Sequence, residues 1–149
     1  MKIILAIFTA TIILLSCSKN NSNPPAIGTI TANVDGASIT SLNGTGVFGG
    51  AITTGFHISS DLFYMKGLIS VPTTNVSYPV LITYNQIQNS DTTIYKTIAD
   101  TGIVVFTSIN GSNGAVKGTF SGTVADSSAT PISHVITNGQ FNVTVQFAP

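Results

Sequence analysis

The two histidines of the chain, His57 and His134, are the side chains best suited to bind a metal or to move a proton. A metal site would need both imidazoles to converge with a carboxylate such as that of Asp61 or Asp126. The sequence has no paired-histidine spacing that would bring this about locally. Two interpretations stay open: a metal-dependent or hydrolytic centre at His57 or His134, or two turn-adjacent histidines with local hydrogen bonds. We assign neither a metal ligand nor a cofactor.

Other spacings that resemble catalytic motifs lack the context that the chemistry requires. Residues 44–49 (GTGVFG) match a dinucleotide-binding loop, but such a loop needs a helix N-terminus after it, and residues 51–56 (AITTGF) do not favour a helix. We expect a turn followed by a bulge instead. No Gly-x-Ser-x-Gly turn is present for a Ser-His-Asp hydrolase, and five scattered aspartates give no carboxylate pair for glycoside hydrolysis. These patterns identify no catalytic residue, and we expect a protein that is not an enzyme.

Aromatic side chains are a third source of chemistry, because exposed rings on a β-sheet can stack against sugars. The candidates are Phe63, Tyr64, Tyr78, Tyr84 and Tyr95. The alternative is that these rings fill the core or cap its ends.

The amino terminus has the pattern of an export signal. An apolar run from Ile3 to Leu15 follows Met1-Lys2, is too short to span a bilayer comfortably, and has the length of a signal-peptide core. It ends in Leu14-Leu15-Ser16-Cys17, which resembles the lipobox of bacterial lipoproteins. The resemblance implies that the Cys17 thiol is lipidated, that the chain is cut before it, and that the new amino group is acylated, for example with palmitate. The alternative is an ordinary free cysteine beside a signal or membrane helix.

Residues after Cys17 read as a flexible connection to the folded part. The stretch Ser18–Pro25 is polar, ends in two prolines and offers nothing to pack. We therefore divide the chain into a signal peptide (1–16), a lipidated cysteine with its tether (17–25) and a folded domain (26–149).

A short motif in the domain could carry a modification. Asp91-Thr92-Thr93 resembles the O-glycosylation sequon of Bacteroidetes, and we expect Thr92 to be reachable in a loop.

Composition favours strands over helices. Charged residues make up 7% of the chain, as five lysines and five aspartates without arginine or glutamate, so strong helix formers are scarce. A formal net charge of zero without clusters of either sign makes nucleic acid a poor partner.

Short β-favouring runs separated by turn residues continue from Ala26 to the end, which predicts an all-β domain. We expect a single antiparallel β-sandwich or a flattened, partly open β-barrel of about nine or ten strands. The runs are Thr29–Val34, Ala37–Leu42, Val47–Ser59 (one bulged strand or a pair), Leu62–Val71, Val76–Tyr84, Thr92–Ile98, Gly102–Ile109, Ala115–Ala125, Ile132–Thr137 and Gln140–Phe147.

Turn signals give three hairpins, at Asp35-Gly36, at residues 110–114 and at Asn138-Gly139. Pro79 predicts an edge strand because proline cannot donate to a neighbouring strand. In the run Ala115–Ala125, Gly118 and Gly122 leave one face half empty, and we expect a facing sheet to fill it.

Three segments together resemble a family of uncharacterised Bacteroidetes lipoproteins: residues 31–36 (TANVDG), 116–122 (VKGTFSG) and 136–141 (ITNGQF). The resemblance implies a β-rich exported lipoprotein and gives no catalytic residue to transfer. Its relatives often carry a tryptophan after the first Asp-Gly, whereas this chain has none.

The sequence therefore predicts a non-enzymatic β domain, anchored in the outer membrane through Cys17, that binds a ligand or partner or serves as envelope structure. Its partner would be a glycan or an envelope protein. The alternatives are a small enzyme using His57 or His134, or an accessory subunit that adds a strand to another envelope protein at the Pro79 edge. The oligomeric state and the face of the outer membrane stay open.

Overall fold

The computed structural model describes residues 25–49, 55–98 and 101–148. The signal peptide 1–16, Cys17, Asp100 and all of the tether except Pro25 lie outside these ranges. Within the described ranges, no helix is long and apolar enough to cross a membrane.

The described chain forms an all-β domain, as the sequence predicts. Its strands are β1 (Thr29–Val34), β2 (Ala37–Ser41), β3 (Thr45–Phe48), β4 (Phe56–Ser59), β5 (Phe63–Gly67), β6 (Ser77–Pro79), β7 (Leu81–Gln88), β8 (Asp91–Thr97), β9 (Ile103–Ile109), β10 (Ala115–Ala125) and β11 (Ser133–Phe147). There are eleven strands in this part of the chain, rather than nine or ten.

These strands make one continuous sheet folded into two facing layers. The six-stranded layer has the order β2-β1-β11-β10-β9-β6, and the five-stranded layer has the order β3-β4-β5-β7-β8. Aromatic rings meet between the layers: Phe63 contacts Phe120 at 5.5 Å, and Phe56 contacts Phe106 at 5.0 Å between ring centroids. This is the predicted antiparallel sandwich, with one parallel strand pair, β3 with β11, among the described strands.

The two layers join at two opposite corners, so the sandwich is also a flattened barrel. The carboxyl end of β11 pairs with β3, and the end of β10 pairs with β8 through two residue pairs. The stagger of the barrel follows from tracing paired residues around it. The trace leaves β11 at Thr144 and crosses β3, β4, β5, β7, β8 and β10 in turn. It returns to β11 at Ser133, eleven residues earlier. A stagger of this size requires strands that tilt steeply around the barrel.

Two predicted hairpins are confirmed. Asp35 and Gly36 both have positive φ, 50° and 84°, as a two-residue turn between antiparallel strands requires. Residues 110–114 connect β9 to β10. A further hairpin joins β7 to β8 through Asn89 and Ser90, also at positive φ, where the sequence suggested a loop.

The hairpin predicted at Asn138-Gly139 is wrong, because β11 runs through it as one strand of fifteen residues. Gly139 pairs with Phe120 and Ile136 with Gly122, so two residues of β11 stand opposite one of β10. This is a β-bulge, with Asn138 at a φ of 51°. The inserted residue moves the buried positions from even to odd numbers, and both Ile136 and Phe141 therefore face the core.

The expectation that a facing sheet fills the glycine face of β10 is confirmed at Gly122 but not at Gly118, which is covered by a side chain of the neighbouring strand β11. A Cβ on Gly118 would lie 2.3 Å from a ring carbon of Phe141, and one on Gly122 would lie 3.1 Å from a methyl group of Ile82 in the opposite layer. These glycines make room for large core side chains.

The run from Val76 to Tyr84 divides at Val80 into β6 and β7, which belong to different layers. The edge position predicted from Pro79 is confirmed, since β6 pairs with β9 and ends the strand order. At the opposite edge lies β2.

Candidate binding groove and the Asp35–His134 pair

The outer face of the six-stranded layer is hollowed into a groove of about 870 Å³. Five neighbouring strands, β2, β1, β11, β10 and β9, form its floor. The bulge in β11 gives four consecutive lining residues, Thr137 to Gln140. Because a bulge bends its strand and increases the local twist, it accounts for the hollow at this point of the sheet.

Hydroxyl and amide side chains belong to nine of the fifteen residues that line the groove. Ser38 on β2 donates a hydrogen bond to the Asn33 side chain on β1 at 3.0 Å. Ile103 and Val105 on β9 add an apolar side, and no lining residue is ionisable. The polar side chains are those of Thr31, Asn33, Ser38, Thr40, Thr119, Ser121, Thr137, Asn138 and Gln140. Such a surface can exchange many neutral hydrogen bonds with a ligand and gives no countercharge to an ionic one.

The aromatic residues considered as a sugar platform lie elsewhere. Phe63, Tyr84 and Tyr95 are buried in the core, and Tyr78 is half-buried, with its hydroxyl accepting a hydrogen bond from the Thr73 amide. Tyr64 is exposed, but it lies on β5 in the other layer. Four of the five rings therefore fill the core or cap its ends, which was the alternative to a sugar platform. No tyrosine lines the groove.

His134 is placed at the start of β11, between the two layers. Its Nδ1 atom lies 2.6 Å from a carboxylate oxygen of Asp35 in the β1–β2 turn, and the other carboxylate oxygen accepts a hydrogen bond from the Val135 amide at 2.8 Å. With the carboxylate as acceptor, Nδ1 carries the proton. The His134 hydrogen bond and then the Val135 amide lower the pKa of Asp35 below its usual 3.8.

The other ring nitrogen of His134 is enclosed. The imidazole meets the edge of Tyr95 at a centroid distance of 4.5 Å, with Tyr84 at 6.3 Å. Its Nε2 atom is buried and forms no hydrogen bond with any described residue. Burial raises the pKa of the neighbouring Tyr84 hydroxyl, helped by Tyr95 and Asp35. The histidine is thus oriented by a carboxylate, as a general base would be, but its free nitrogen is closed to a substrate in this conformation.

His57 and His134 do not converge on a carboxylate, which a shared metal site would require. His57 lies on β4 in the five-stranded layer, stacked on Tyr64 at 6.0 Å, whereas His134 belongs to the other layer. Asp61 bonds the Asn43 amide rather than a histidine. No group of three or more potential metal ligands occurs in the described ranges.

Asp126 closes the loop between β10 and β11. Its carboxylate accepts hydrogen bonds from the Ser128 hydroxyl at 2.8 Å and from the Ile132 amide at 3.0 Å. The Ser128 hydrogen bond is the main cause that lowers the pKa of Asp126.

The nucleotide-like spacing at residues 44–49 forms part of the sheet. Thr45–Phe48 is strand β3, and Gly49 follows it with a φ of 72°. A Cβ on Gly46 would lie 2.8 Å from the His57 carbonyl oxygen, so this glycine permits the close approach of two strands.

Thr92 has an exposed side chain, as a modification site requires, but the predicted loop is wrong. Thr92 lies in β8, paired with Ile87 beside the Asn89-Ser90 turn.

Sequence reasoning missed both the groove and the partner of His134. The turn signal at Asp35-Gly36 is local, and nothing near it in the sequence indicates that the Asp35 carboxylate meets a side chain 99 positions later. The groove depends on five strands, of which β1 and β2 are far in the chain from β9, β10 and β11. The alternation of apolar and polar residues along each strand does indicate which threonines point outward. It does not indicate that the surface they form is concave. No family model, curated protein or solved structure matches this chain.

Proposed function

We propose that this chain is an exported lipoprotein, anchored in the outer membrane through Cys17, whose β domain binds an uncharged, hydrogen-bonding chain such as a neutral oligosaccharide. The groove carries this proposal: it is a hollow of about 870 Å³ in the outer face of the sheet, lined by hydroxyl and amide side chains together with apolar ones. Sugar hydroxyls match this lining, and the C–H faces of the rings suit Ile103 and Val105. The domain acts as a binding module rather than as an enzyme, since the oriented histidine has a buried free nitrogen.

A bulky residue at the floor of the groove tests the ligand site. Thr119 is exposed at the centre of β10, where it pairs with Gln140 and Val105, so Thr119→Trp fills the groove. Thr144→Trp is a matched control on β11, outside the lining residues. The probes are hexasaccharides of glucose, xylose and mannose, with acidic oligogalacturonate and oligoalginate for comparison.

We expect calorimetry to detect binding of at least one neutral hexasaccharide and of neither acidic one. Thr119→Trp should weaken that binding by at least about tenfold, or about 1.4 kcal/mol, and Thr144→Trp should not. Preference for the acidic probes, or binding that Thr119→Trp leaves unchanged, would overturn the proposed site. So would the failure of every neutral probe.

The anchor has a separate test. Metabolic labelling with radioactive palmitate should mark the wild-type chain and not Cys17→Ala. Antibodies against residues 18–149, applied to intact and to permeabilised cells, then distinguish surface display from a periplasmic position. An unlabelled wild-type chain would contradict lipidation.

A second candidate function is the addition of a strand by a partner protein. We propose the β2 edge of the sheet as its place, rather than the β6 edge that contains Pro79. The β6 edge is three residues long and contains proline, so it offers few donors. β2 is five residues long, and its sequence, ASITS, has neither proline nor charge. An edge of this kind is open to pairing. Co-purification of one stoichiometric partner that Thr40→Pro releases would favour this candidate, since the Thr40 N–H points to the open edge of β2, and a monodisperse monomer would count against it.

A further inference from the structure

The side chains that line the groove form two rows that cross the strands. Thr31 of β1 pairs with Thr40 of β2 on one side and with Gln140 of β11 on the other. Gln140 in turn pairs with Thr119 of β10, and Thr119 pairs with Val105 of β9. These five residues therefore follow one line from β2 to β9, and we call them the first row.

A second row runs beside the first. Asn33 of β1 pairs with Ser38 of β2 and with Thr137 of β11. Ser121 of β10 stands opposite the bulge that contains Thr137, and it pairs with Ile103 of β9. We call Ser38, Asn33, Thr137, Ser121 and Ile103 the second row. All ten residues of the two rows line the groove.

The floor between the rows is largely backbone. Ala32 and Phe120 line the groove between the two rows, yet their side chains belong to the core. This follows from the geometry of a strand, in which successive side chains point to opposite faces. The groove is therefore a trough, with one row along each side and its long axis perpendicular to the strands.

The dimensions of the trough restrict the shape of a ligand. Neighbouring strands lie about 4.8 Å apart, so the trough extends for about 19 Å from β2 to β9. The rows are two residues apart on most of the strands, or about 7 Å, and three residues apart at the bulge of β11. This width suits one sugar ring with its hydroxyls, and one ring of an extended chain is about as long as one strand spacing.

Most polar side chains of the rows are available to a ligand. The Ser38 hydroxyl donates its hydrogen bond to Asn33, along the second row. The other hydroxyl and amide side chains of the rows form no hydrogen bond with any described residue. Both rows end in an aliphatic side chain on β9, Val105 in the first and Ile103 in the second. Hydrogen-bonding capacity is thus distributed along the trough from β2 to β10.

We infer that a linear neutral oligosaccharide lies across the strands, with about four consecutive rings between β2 and β9 and its hydroxyls directed to the two rows. The ring at the β9 end contacts Val105 and Ile103 with its C–H groups. This inference rests on the proposed function and adds to it the direction of the ligand and the number of rings that the site holds.

The number of rings has a test that needs no variant. The full chain is titrated by calorimetry with linear oligosaccharides of glucose, xylose and mannose, each in lengths of two to six rings. For a sugar whose hexasaccharide binds, we expect the affinity to rise by at least about tenfold from two rings to four. From four rings to six it should rise by less than about twofold, because further rings lie outside the trough.

The failure of this inference differs from the failure of the proposed function. A disaccharide that binds as tightly as the hexasaccharide would overturn the extended site while leaving a neutral ligand in the groove. A steady rise of the affinity up to six rings would also overturn the expected length. Failure of every neutral hexasaccharide would instead contradict the proposed function, and the inference with it.

The direction of the ligand is tested at the two ends of the trough. Thr40→Trp obstructs the trough on β2 and Ile103→Trp obstructs it on β9, and both positions are exposed. Each variant should weaken hexasaccharide binding by at least about tenfold and disaccharide binding by less than about twofold, since two rings still fit in the open part. Thr144→Trp, outside the lining residues, should change neither.

A ligand that lies along the strands would give a different result. Such a ligand cannot reach both β2 and β9, because three strands separate them. Weaker hexasaccharide binding in only one of the two end variants, or in neither, would therefore overturn the crosswise direction.

Discussion

At the residue scale, Asp35 combines a turn position with contacts to the neighbouring strand β11. Its φ of 50° suits the two-residue turn, and its carboxylate holds both His134 and the Val135 amide. These contacts lower the pKa of Asp35, so the ionised carboxylate stabilises the folded state above pH 3.8, and this stabilisation is lost as the pH falls through the lowered pKa.

Replacing Asp35 by Asn should therefore reduce the loss of stability in acid. Asparagine tolerates the positive φ of the turn, so the change removes the charge while the backbone is kept. Urea unfolding between about pH 5 and pH 2 should show a smaller fall in the free energy of unfolding than for the wild type. His134→Phe keeps the ring between the layers, removes the donor and should have the same effect. An unchanged acid dependence in both variants would show that the pair contributes nothing.

Gly118 is a second residue whose type is set by a distant neighbour. A methyl group there would overlap the Phe141 ring and lie 2.5 Å from the Val105 carbonyl oxygen. We expect Gly118→Ala to lower the free energy of unfolding by about 1–3 kcal/mol. Gly111→Ala, in a loop with open space around the Cβ position, should change it by less than about 0.5 kcal/mol. Similar denaturation midpoints for the two variants would contradict this packing.

At the scale of single elements, β11 organises the domain. It pairs with β1 and β3 along one edge and with β10 along the other, and its bulge lets residues on both sides of Asn138 present apolar side chains to the core. The same bulge supplies four lining residues of the groove. One irregularity therefore serves both packing and the proposed ligand site.

The backbone of the bulge makes a specific demand at position 138. Asn138→Val places a β-branched side chain at a φ of 51° and should destabilise the domain by about 1–2 kcal/mol, measured by denaturant unfolding. Asn138→Gly accepts this φ freely and should cost about 1 kcal/mol or less. If the valine variant were as stable as the glycine variant, the left-handed conformation at this position would be in doubt.

At the scale of the whole molecule, the closure of the sheet into a barrel and the burial of aromatic side chains link the two layers. Tyr84 on β7 lies between them, stacked on Phe63 at 5.3 Å and close to Tyr95 and His134. Burial raises the pKa of its hydroxyl above 10.0 in the folded protein. The folded state therefore disfavours the tyrosinate, whereas the unfolded chain accepts it.

Stability should accordingly decrease as the pH rises above about 10, because the unfolded chain releases the Tyr84 proton first. Tyr84→Phe removes this contribution, and its free energy of unfolding should fall less steeply over the same pH range. Tyr64→Phe, at an exposed position, is the matched control and should retain the wild-type slope. Parallel slopes for wild type and Tyr84→Phe would contradict the burial of a neutral hydroxyl.

The sequence determined the fold class and most of the strands. Alternating apolar residues and turn residues are local signals, so β1, β9, β10 and the turn at Asp35-Gly36 were predictable within a residue or two. The edge position of Pro79 followed from the donor that proline lacks. The glycines of β10 indicated that other side chains must fill their face, although they identified neither Ile82 of the facing layer nor Phe141 of the neighbouring strand.

Tertiary structure decided the rest, because the same local pattern has different outcomes in different surroundings. Asn138-Gly139 has the sequence of a tight turn, yet the strands paired on both sides of β11 keep the chain extended through these two residues and make them a bulge. The union of β3 with β11, the groove across five strands and the contact of Asp35 with His134 all join residues distant in the chain. Local periodicity has no information on such pairings, which depend on how the whole core is filled.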